Sequence, residues 1–319
     1  MTELSLKKNS FAGRPGPMCL IVMDGIGIGK QDDSNAVYLA KTPTLDKLFG
    51  AKLYTQLQAH GQAVGLPSDD DMGNSEIGHN ALGAGRVFDQ GAKLVNRAIE
   101  TGSMYEGEVW KMAIAQAKQN ATLHFIGLHS DGNVHSNTAQ LYAMLKEAAK
   151  EGVTRVRLHI LHDGRDVPEK SALTYIEATE KLLAEINAQY GYDYRIASGG
   201  GRMITTMDRY EADWTIVERG WKAHVLGQAR AFGSAKEAVE TMYAEDEKAV
   251  DQYLEAFVVV GADGKPVGTI EDGDSVIFFN FRGDRAIEIS QAFERGRISR
   301  NRRRPRTPGR FRSHGRRGS

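Results

Sequence analysis

The stretch Leu123 to Ser136, LHFIGLHSDGNVHS, decides the fold class. Its first six residues are an apolar run of strand length, and the Ser, Asp, Gly and Asn cluster that follows marks a loop. Beyond the loop, Leu141, Met144, Leu145 and Ala148 recur at i, i+3, i+4 and i+7, the spacing of an amphipathic helix. The same alternation repeats downstream. Val156 to Leu161 reads as a strand, and Ala172, Tyr175, Ile176, Thr179, Leu182, Leu183 and Ile186 form a long helical stripe. Arg195 to Ala197 reads as a further strand, and helical patterns cover Trp214 to Trp221 and Ala235 to Tyr243. Val258 to Val260, with Asp263-Gly264 after it, predicts a late hairpin, and Val276 to Phe279 a last strand. Strand–helix alternation of this kind predicts an α/β fold, a parallel or mixed sheet with helices on its faces.

Upstream, Met18 to Met23 (MCLIVM) is a continuous apolar run, the pattern of a strand buried on both faces. It leads into Asp24 and the turn Gly25-Ile26-Gly27-Ile28-Gly29-Lys30. A helix is predicted over Pro43 to Phe49, with Thr42 as its cap. The polar, glycine-rich stretch from Ser68 to Gly85 passes into helical spacing at Ile77, Ala81 and Leu82. Residues 1–17 are polar and lack the apolar core of a secretory signal. The apolar runs are too short to span a bilayer. Cys19 is the one cysteine, so neither a disulfide framework nor a Cys-rich zinc site is available, and a reducing, cytoplasmic compartment is expected.

The formal charge of +0 conceals an asymmetry. Eleven of the 41 Lys+Arg residues are arginines between Arg295 and Ser319, which contain no Asp or Glu. The body then carries 30 basic groups against 41 acidic ones, a net −11. The tail has no periodicity and almost no apolar residues, which predicts disorder. Arginine without lysine, mixed with Gly, Pro and Ser, is also what GC-rich coding sequence yields out of frame, so a frameshifted gene reading is expected. Binding of nucleic acid through this tail would be salt-dependent and nonspecific, and with Phe311 alone it lacks a stacking platform.

Several segments suit anions. Asp24 stands at the carboxyl end of a strand, where ligand sites of α/β sheets lie, and reads either as a hard-metal ligand or as a solvated turn residue. Its glycines do not form a dinucleotide fingerprint, because the third is misplaced and Asp24 would repel a pyrophosphate. Ser75, within DMGNSEIGHN, sits where a helix N-terminus would favour an anion. It reads as a metal-activated nucleophile towards a phosphoryl group or as a plain N-cap, with no histidine placed as its base. His135 lies in a strand-to-helix loop, as do Arg165 and Asp166 of HDGRD. Gly199-Gly200-Gly201-Arg202 follows the third strand and leads to Arg209; Arg282 and Arg285 follow the last. If these strands are neighbours, five arginines converge on one edge, near glycines that admit a ligand. Arginine suits bidentate capture of phosphate and carboxylate.

The segments VMDGIGIG, AHGQAVGLP, DMGNSEIGHNALGAGR, SDGNVHS, HDGRDVP, GGGRMITTMDRYEADW and FNFRGDRA closely resemble the 2,3-bisphosphoglycerate-independent phosphoglycerate mutases, most strongly the plant and trypanosomatid branch. The likeness covers about Met18 to Glu294. It implies an alkaline-phosphatase-like metal domain, begun by residues 18–88, with an inserted α/β transferase domain over residues 89–294. It implies two Mn2+ ions, or another divalent metal, held in part by Asp24 and Ser75, with Ser75 as the nucleophile that becomes phosphoserine and no 2,3-bisphosphoglycerate cofactor. His135, Arg165, Asp166, Arg202, Arg209, Arg282 and Arg285 would form the substrate pocket for 2- or 3-phosphoglycerate, and Asp166 would shuttle protons between the glycerate hydroxyls. A monomer without membrane or specific nucleic-acid partners is implied.

Members of that family are much longer, and their second half supplies the remaining metal ligands, including an Asp-x-x-x-His pair and an Asp-His pair, both read as missing here. Asp24 and Ser75 are too few to hold two ions, so this truncated chain is expected to lack mutase activity and to expose apolar edges within residues 18–88. The alternatives are a non-catalytic fragment retaining part of the anion pocket, or another metal-dependent phosphomutase or phosphatase of the same superfamily.

Overall fold

The computed structural model describes residue 10, residues 12–23 and residues 26–295. Contacts divide the chain into two compact units, Met1–Leu57 and Gln58–Ser319. The first contains two short helices, α1 (Ala36–Leu39) and α2 (Pro43–Phe49). Asn35 caps α1, its side chain accepting from the N–H groups of Val37 and Tyr38. Pro43 opens α2 as predicted, but the Thr42 hydroxyl donates to Asp46 Oδ1 (2.9 Å) instead of capping the backbone. The strand predicted over residues 18–23 is not formed. Met18, Leu20 and Ile21 are all strongly exposed. A strand exists only by hydrogen-bonding to a neighbour, and no strand lies among the described residues of this unit.

The second unit begins with a 3-10 turn (Gly61–Val64) and four helices: α3 (Ser75–Ala84), α4 (Gly91–Glu100), α5 (Ser103–Glu106) and α6 (Glu108–Ala117). Then come β1 (Leu123–Leu128), α7 (Thr138–Lys150), β2 (Arg155–His162), α8 (Ala172–Tyr190), β3 (Asp193–Gly201) and α9 (Trp214–His224). The unit continues with β4 (Arg230–Phe232), α10 (Ala235–Glu245), β5 (Phe257–Val259), β6 (Ser275–Phe278) and α11 (Ile287–Arg295). The six strands form one mixed sheet in the order β4-β5-β3-β2-β1-β6. Strands β3, β2, β1 and β6 run parallel, whereas β5 is antiparallel to β3 and parallel to β4. The late hairpin shrinks to a turn closed by a single bridge, Val260 to Pro266, with Gly264 in the left-handed region.

Alternation along the strands fills two layers. Leu123 and Phe125 of β1, with Leu158 and Ile160 of β2, pack with Leu141 and Leu145 of α7, Ile176 and Leu183 of α8 and Val239 of α10. Ile126 turns to the other face, joining Val217 and Trp221 of α9 and Ile289 of α11. All six residues of β1 are buried, the signature of a central strand covered on both sides. No helix among the described residues is long and apolar enough to cross a membrane.

Among the described residues of this unit six histidines are buried: His124, His129, His135, His159, His162 and His224. Burial, which disfavours the imidazolium, holds all six below their ordinary value, His129 and His224 at about 3 and His162 at about 4. In the unfolded chain these groups bind protons below about pH 6.5, and in the folded chain they do not, so acidification favours unfolding. One pH unit below the unfolded value the penalty is about 1.4 kcal/mol per histidine. Summed over the five held furthest down (His129, His135, His159, His162 and His224) it is ~7 kcal/mol, comparable to the whole stability of a typical domain. The urea midpoint of the second unit is therefore expected to fall steeply between pH 7 and pH 5.5. A flat midpoint over that interval would contradict the neutral, buried state of these side chains.

Candidate active site

Because β3, β2, β1 and β6 are parallel, their carboxyl ends lie at one edge of the sheet. Chain order runs outward from β1 to β2 to β3 on one side and places β6 on the other, so the connections diverge between β1 and β6. A crevice at the carboxyl ends opens at such a point. The loops meeting there follow β1, β2, β3 and β6 and carry all the predicted substrate residues. The first and last are tied together through the His135 carbonyl, which accepts from the N–H groups of Phe281 (2.9 Å) and Arg282 (3.3 Å).

The predicted arginines do converge. Arg202 is 1% exposed, and its Nη1 donates to Asp163 Oδ1 (2.7 Å) and Asp166 Oδ2 (2.5 Å). Asp163 is itself held by the Ser130 hydroxyl (2.6 Å) and the N–H groups of Arg165 (3.2 Å) and Asp166 (3.1 Å). Across the crevice the Asp284 carboxylate faces Arg282 Nη2 (3.0 Å), Arg209 Nη1 (3.6 Å) and His135 Nδ1 (3.5 Å). Arg282 Nε lies 2.8 Å from Glu76 of α3. Arg285 Nη1 donates to the Met207 carbonyl (2.7 Å). Arg165 is the outlier, an exposed side chain reaching Met203 Sδ at 3.9 Å.

Electrostatics at this edge favour anions. His135 is pushed down to about 2, first by burial and then by Arg202, Arg282, Arg285 and Arg209, so it is neutral at physiological pH. Asp284 at 3.5 Å does not offset four guanidinium groups. Arg285 is lowered to about 10 by burial and by Arg202 and Arg209, which leaves it charged. A phosphate or carboxylate entering here would relieve this repulsion and find both charge and directed N–H donors.

Ser75 lies in the first turn of α3, exposed, and Asn74 does the capping through Ile77 N–H (3.2 Å). Its hydroxyl is thus free of that duty. His79 Nδ1 sits 3.3 Å from Ser75 Oγ but only 2.7 Å from the Ser75 carbonyl. A carbonyl accepts only, so this nitrogen carries its proton and is not a base for the serine. The Ser75 segment is fastened to the crevice twice, by Glu76 to Arg282 and by Asn133 Nδ2 donating to Asp71 Oδ1 (2.5 Å).

Two sequence readings change. Gly199-Gly200-Gly201 lies within β3 and does not follow it; a Cβ at Gly199 would sit 2.6 Å from the Phe257 ring and one at Gly201 2.5 Å from the Gln252 backbone. These glycines admit the neighbouring chain, not a ligand. The Asp-x-x-x-His spacing does occur, at Asp131 to His135, but it forms no metal pair: Asp131 accepts from the Tyr175 hydroxyl and His135 faces Asp284. Asp24 lies outside the described residues, as does the arginine-rich tail. Among the described residues no three His, Cys, Asp or Glu side chains gather as a metal site, so the described donors alone make no two-metal centre. Sequence reasoning passed over Asp163, Asp284 and Glu76, the carboxylates that hold the arginines. Asp163 stands directly after β2 with Arg165 two residues on, and Asp284 lies between Arg282 and Arg285; Glu76, in the first turn of α3, carried no such signal. A cleft of about 680 Å³ beside the free edge of β6, lined by Val109, Trp110, Met112 and Phe279, contains none of the charged cluster.

The family model described as BPG-independent PGAM N-terminus matches residues 95–312, running past Glu294, the expected end of the sequence likeness. A probable 2,3-bisphosphoglycerate-independent phosphoglycerate mutase of Leptospira interrogans is 56% identical over 290 residues, 90% of this chain and 52% of the relative. The corresponding Trypanosoma brucei brucei mutase is 55% identical over 279 residues, 87% of this chain and 50% of its own length. A crystal structure of Leishmania mexicana phosphoglycerate mutase at low cobalt concentration superposes with a TM-score of 0.83 at 54% identity, covering 88% of this chain and 51% of that one. The chain spans about half the length of the curated relatives it matches.

The Arg202 pairing sets an expectation for stability. Replacing Asp163 by Asn leaves a buried guanidinium short of one carboxylate, a change that costs ~3–5 kcal/mol in comparable buried pairs. Urea unfolding of Asp163→Asn at pH 7 should show a loss of that order; a loss below about 1 kcal/mol would mean that Arg202 is effectively solvated.

Proposed function

Because this chain belongs to the BPG-independent phosphoglycerate mutase family, we propose that its sheet-edge crevice grips 2- or 3-phosphoglycerate for phosphomutase chemistry in glycolysis and gluconeogenesis. The observation that carries this reading is the gathering of Arg202, Arg209, Arg282 and Arg285 around His135 and Asp284. The substrate offers two anionic ends, and the cluster offers guanidinium groups on both sides of the crevice. Arg202, fixed by two aspartates, and Arg285, fixed by a backbone carbonyl, are preorganised and lose little freedom on binding.

In the proposed reaction the Ser75 hydroxyl attacks the phosphorus of 3-phosphoglycerate. The O–P bond to the glycerate C3 oxygen breaks as the serine O–P bond forms. The serine proton ends on the departing glycerate oxygen, with Asp166 as the carboxylate that moves protons between the C2 and C3 hydroxyls. Glycerate stays held by the arginines, reorients, and takes the phosphoryl group back on the other oxygen. Holding the acceptor in place converts an encounter into an intramolecular step. Residues 18–88 would begin a phosphatase-like domain and residues 89–294 form an inserted transferase domain. Asp24 and Ser75 would belong to a divalent-metal centre, of which the described residues hold too little to assign a step. A cytoplasmic monomer is the setting proposed.

A second reading, binding without turnover, is favoured by that lack of gathered metal donors. Calorimetry with 3-phosphoglycerate and no metal should give saturable binding to this chain. Arg282→Ala should weaken it 10- to 100-fold, the value of a lost charge-assisted hydrogen bond, and glycerate alone should bind far less. Absence of any saturable heat with 3-phosphoglycerate would overturn the assignment of the crevice. Mutase turnover with manganese then separates an enzyme from a binding fragment.

A further inference from the structure

A line of buried polar side chains crosses the sheet on the face covered by α9. His124 Nε2 lies 3.1 Å from Asp274 Oδ2, and His124 Nδ1 lies 2.9 Å from His159 Nε2. His159 Nδ1 is 2.7 Å from Ser198 Oγ, Ser198 Oγ is 2.7 Å from His224 Nδ1, and His224 Nε2 is 2.9 Å from Thr206 Oγ1. The three histidines, Ser198 and Thr206 are all at most 1% exposed. Packing alone gives no reason for five polar groups here, since apolar side chains would fill the layer without the need for partners.

The direction of the chain follows from one end. A carboxylate only accepts, so His124 carries its proton on Nε2 and accepts at Nδ1. His159 must then donate from Nε2 and accept at Nδ1, where the Ser198 hydroxyl donates. Ser198 in turn accepts from His224 Nδ1–H, and His224 Nε2 accepts from the Thr206 hydroxyl. Every donor and acceptor along the chain is matched once, with the histidines neutral. Asp274 is anchored by the N–H groups of Thr122 (2.7 Å) and Glu271 (2.9 Å), which favour its ionised form.

The other end lies beside the crevice. Thr206 is a β-branched residue with φ of +72°, a conformation that normally costs ~1–3 kcal/mol and persists only where neighbours enforce it. Its N–H donates to the Ile216 carbonyl (2.9 Å), and Gly220 of α9 leaves room for its side chain. The next carbonyl along, that of Met207, accepts from Arg285.

We infer that the His124–His159–Ser198–His224 chain is a positioning device, polarised by Asp274, that holds Thr206 in its left-handed conformation and thereby aims Arg285 into the crevice. Arg285 as a substrate contact rests on the proposed function; the chain and its direction do not. The device makes His224 and Thr206 positioning residues.

Histidine 15N spectra of the full chain at pH 7 test the direction. Nε2–H tautomers are expected at His124 and His159 and an Nδ1–H tautomer at His224. Any other starting set would overturn the assigned polarity. Hydrogen exchange of the Arg285 guanidinium tests the positioning. Thr206→Val, isosteric but without the hydroxyl, should accelerate it at least tenfold, whereas Thr206→Ser retains protection; equal exchange in Thr206→Val and the parent chain would refute the link. A tenfold weaker affinity of Thr206→Val for 3-phosphoglycerate joins the device to function. If the parent chain binds no 3-phosphoglycerate, the functional reading fails while both spectroscopic results still decide the inference.

Discussion

The parallel run of β3, β2, β1 and β6 is the constraint from which the rest follows. Parallel strands require crossover connections, and those connections place helices on both faces and all four carboxyl-end loops at one edge. Concentrating arginines at one edge is electrostatically unfavourable by itself. The fold offsets it with carboxylates set on the same loops, Asp163 and Asp166 for Arg202, Asp284 for Arg209 and Arg282, and Glu76 reaching in from α3. The crevice is therefore near balance when empty, while burial, helped by the four guanidinium groups, keeps His135 neutral.

Placement of the carboxylates explains the order of the site. Arg202 is buried and doubly paired, so its guanidinium cannot swing; Arg209 is partly exposed and stacked over Tyr210 at 5.1 Å. The crevice thus combines fixed and adaptable donors, an arrangement suited to a ligand that is gripped, released at one end and turned.

The sheet was legible in the sequence where apolar runs and helical stripes alternated. Leu123–Leu128 is a strand over the predicted residues, and the stripe from Ala172 to Ile186 lies on α8. Arginine convergence was legible as well, because strand ends in an α/β sheet share an edge. Residues 18–23 failed for a physical reason: apolar composition states a demand for burial but does not name the partner that meets it. Gly199–Gly201 failed because a glycine reports close approach without saying of what; here it is Phe257 and the backbone near Gln252. The buried histidine chain was invisible, since His124, His159 and His224 are separated by whole elements, and only the pairing of β1 with β2 and the packing of α9 on the sheet bring them into one hydrogen-bonded line.

One carbonyl has a consequence for motion. The backbone oxygen of His135 serves the amides of both Phe281 and Arg282, so it ties the loop after β6 to the loop after β1. Neither can swing aside as an independent flap without stranding the amides of Phe281 and Arg282. Any displacement of one loop must therefore carry the other with it or break those two bonds, so the two sides of the crevice keep a common spacing.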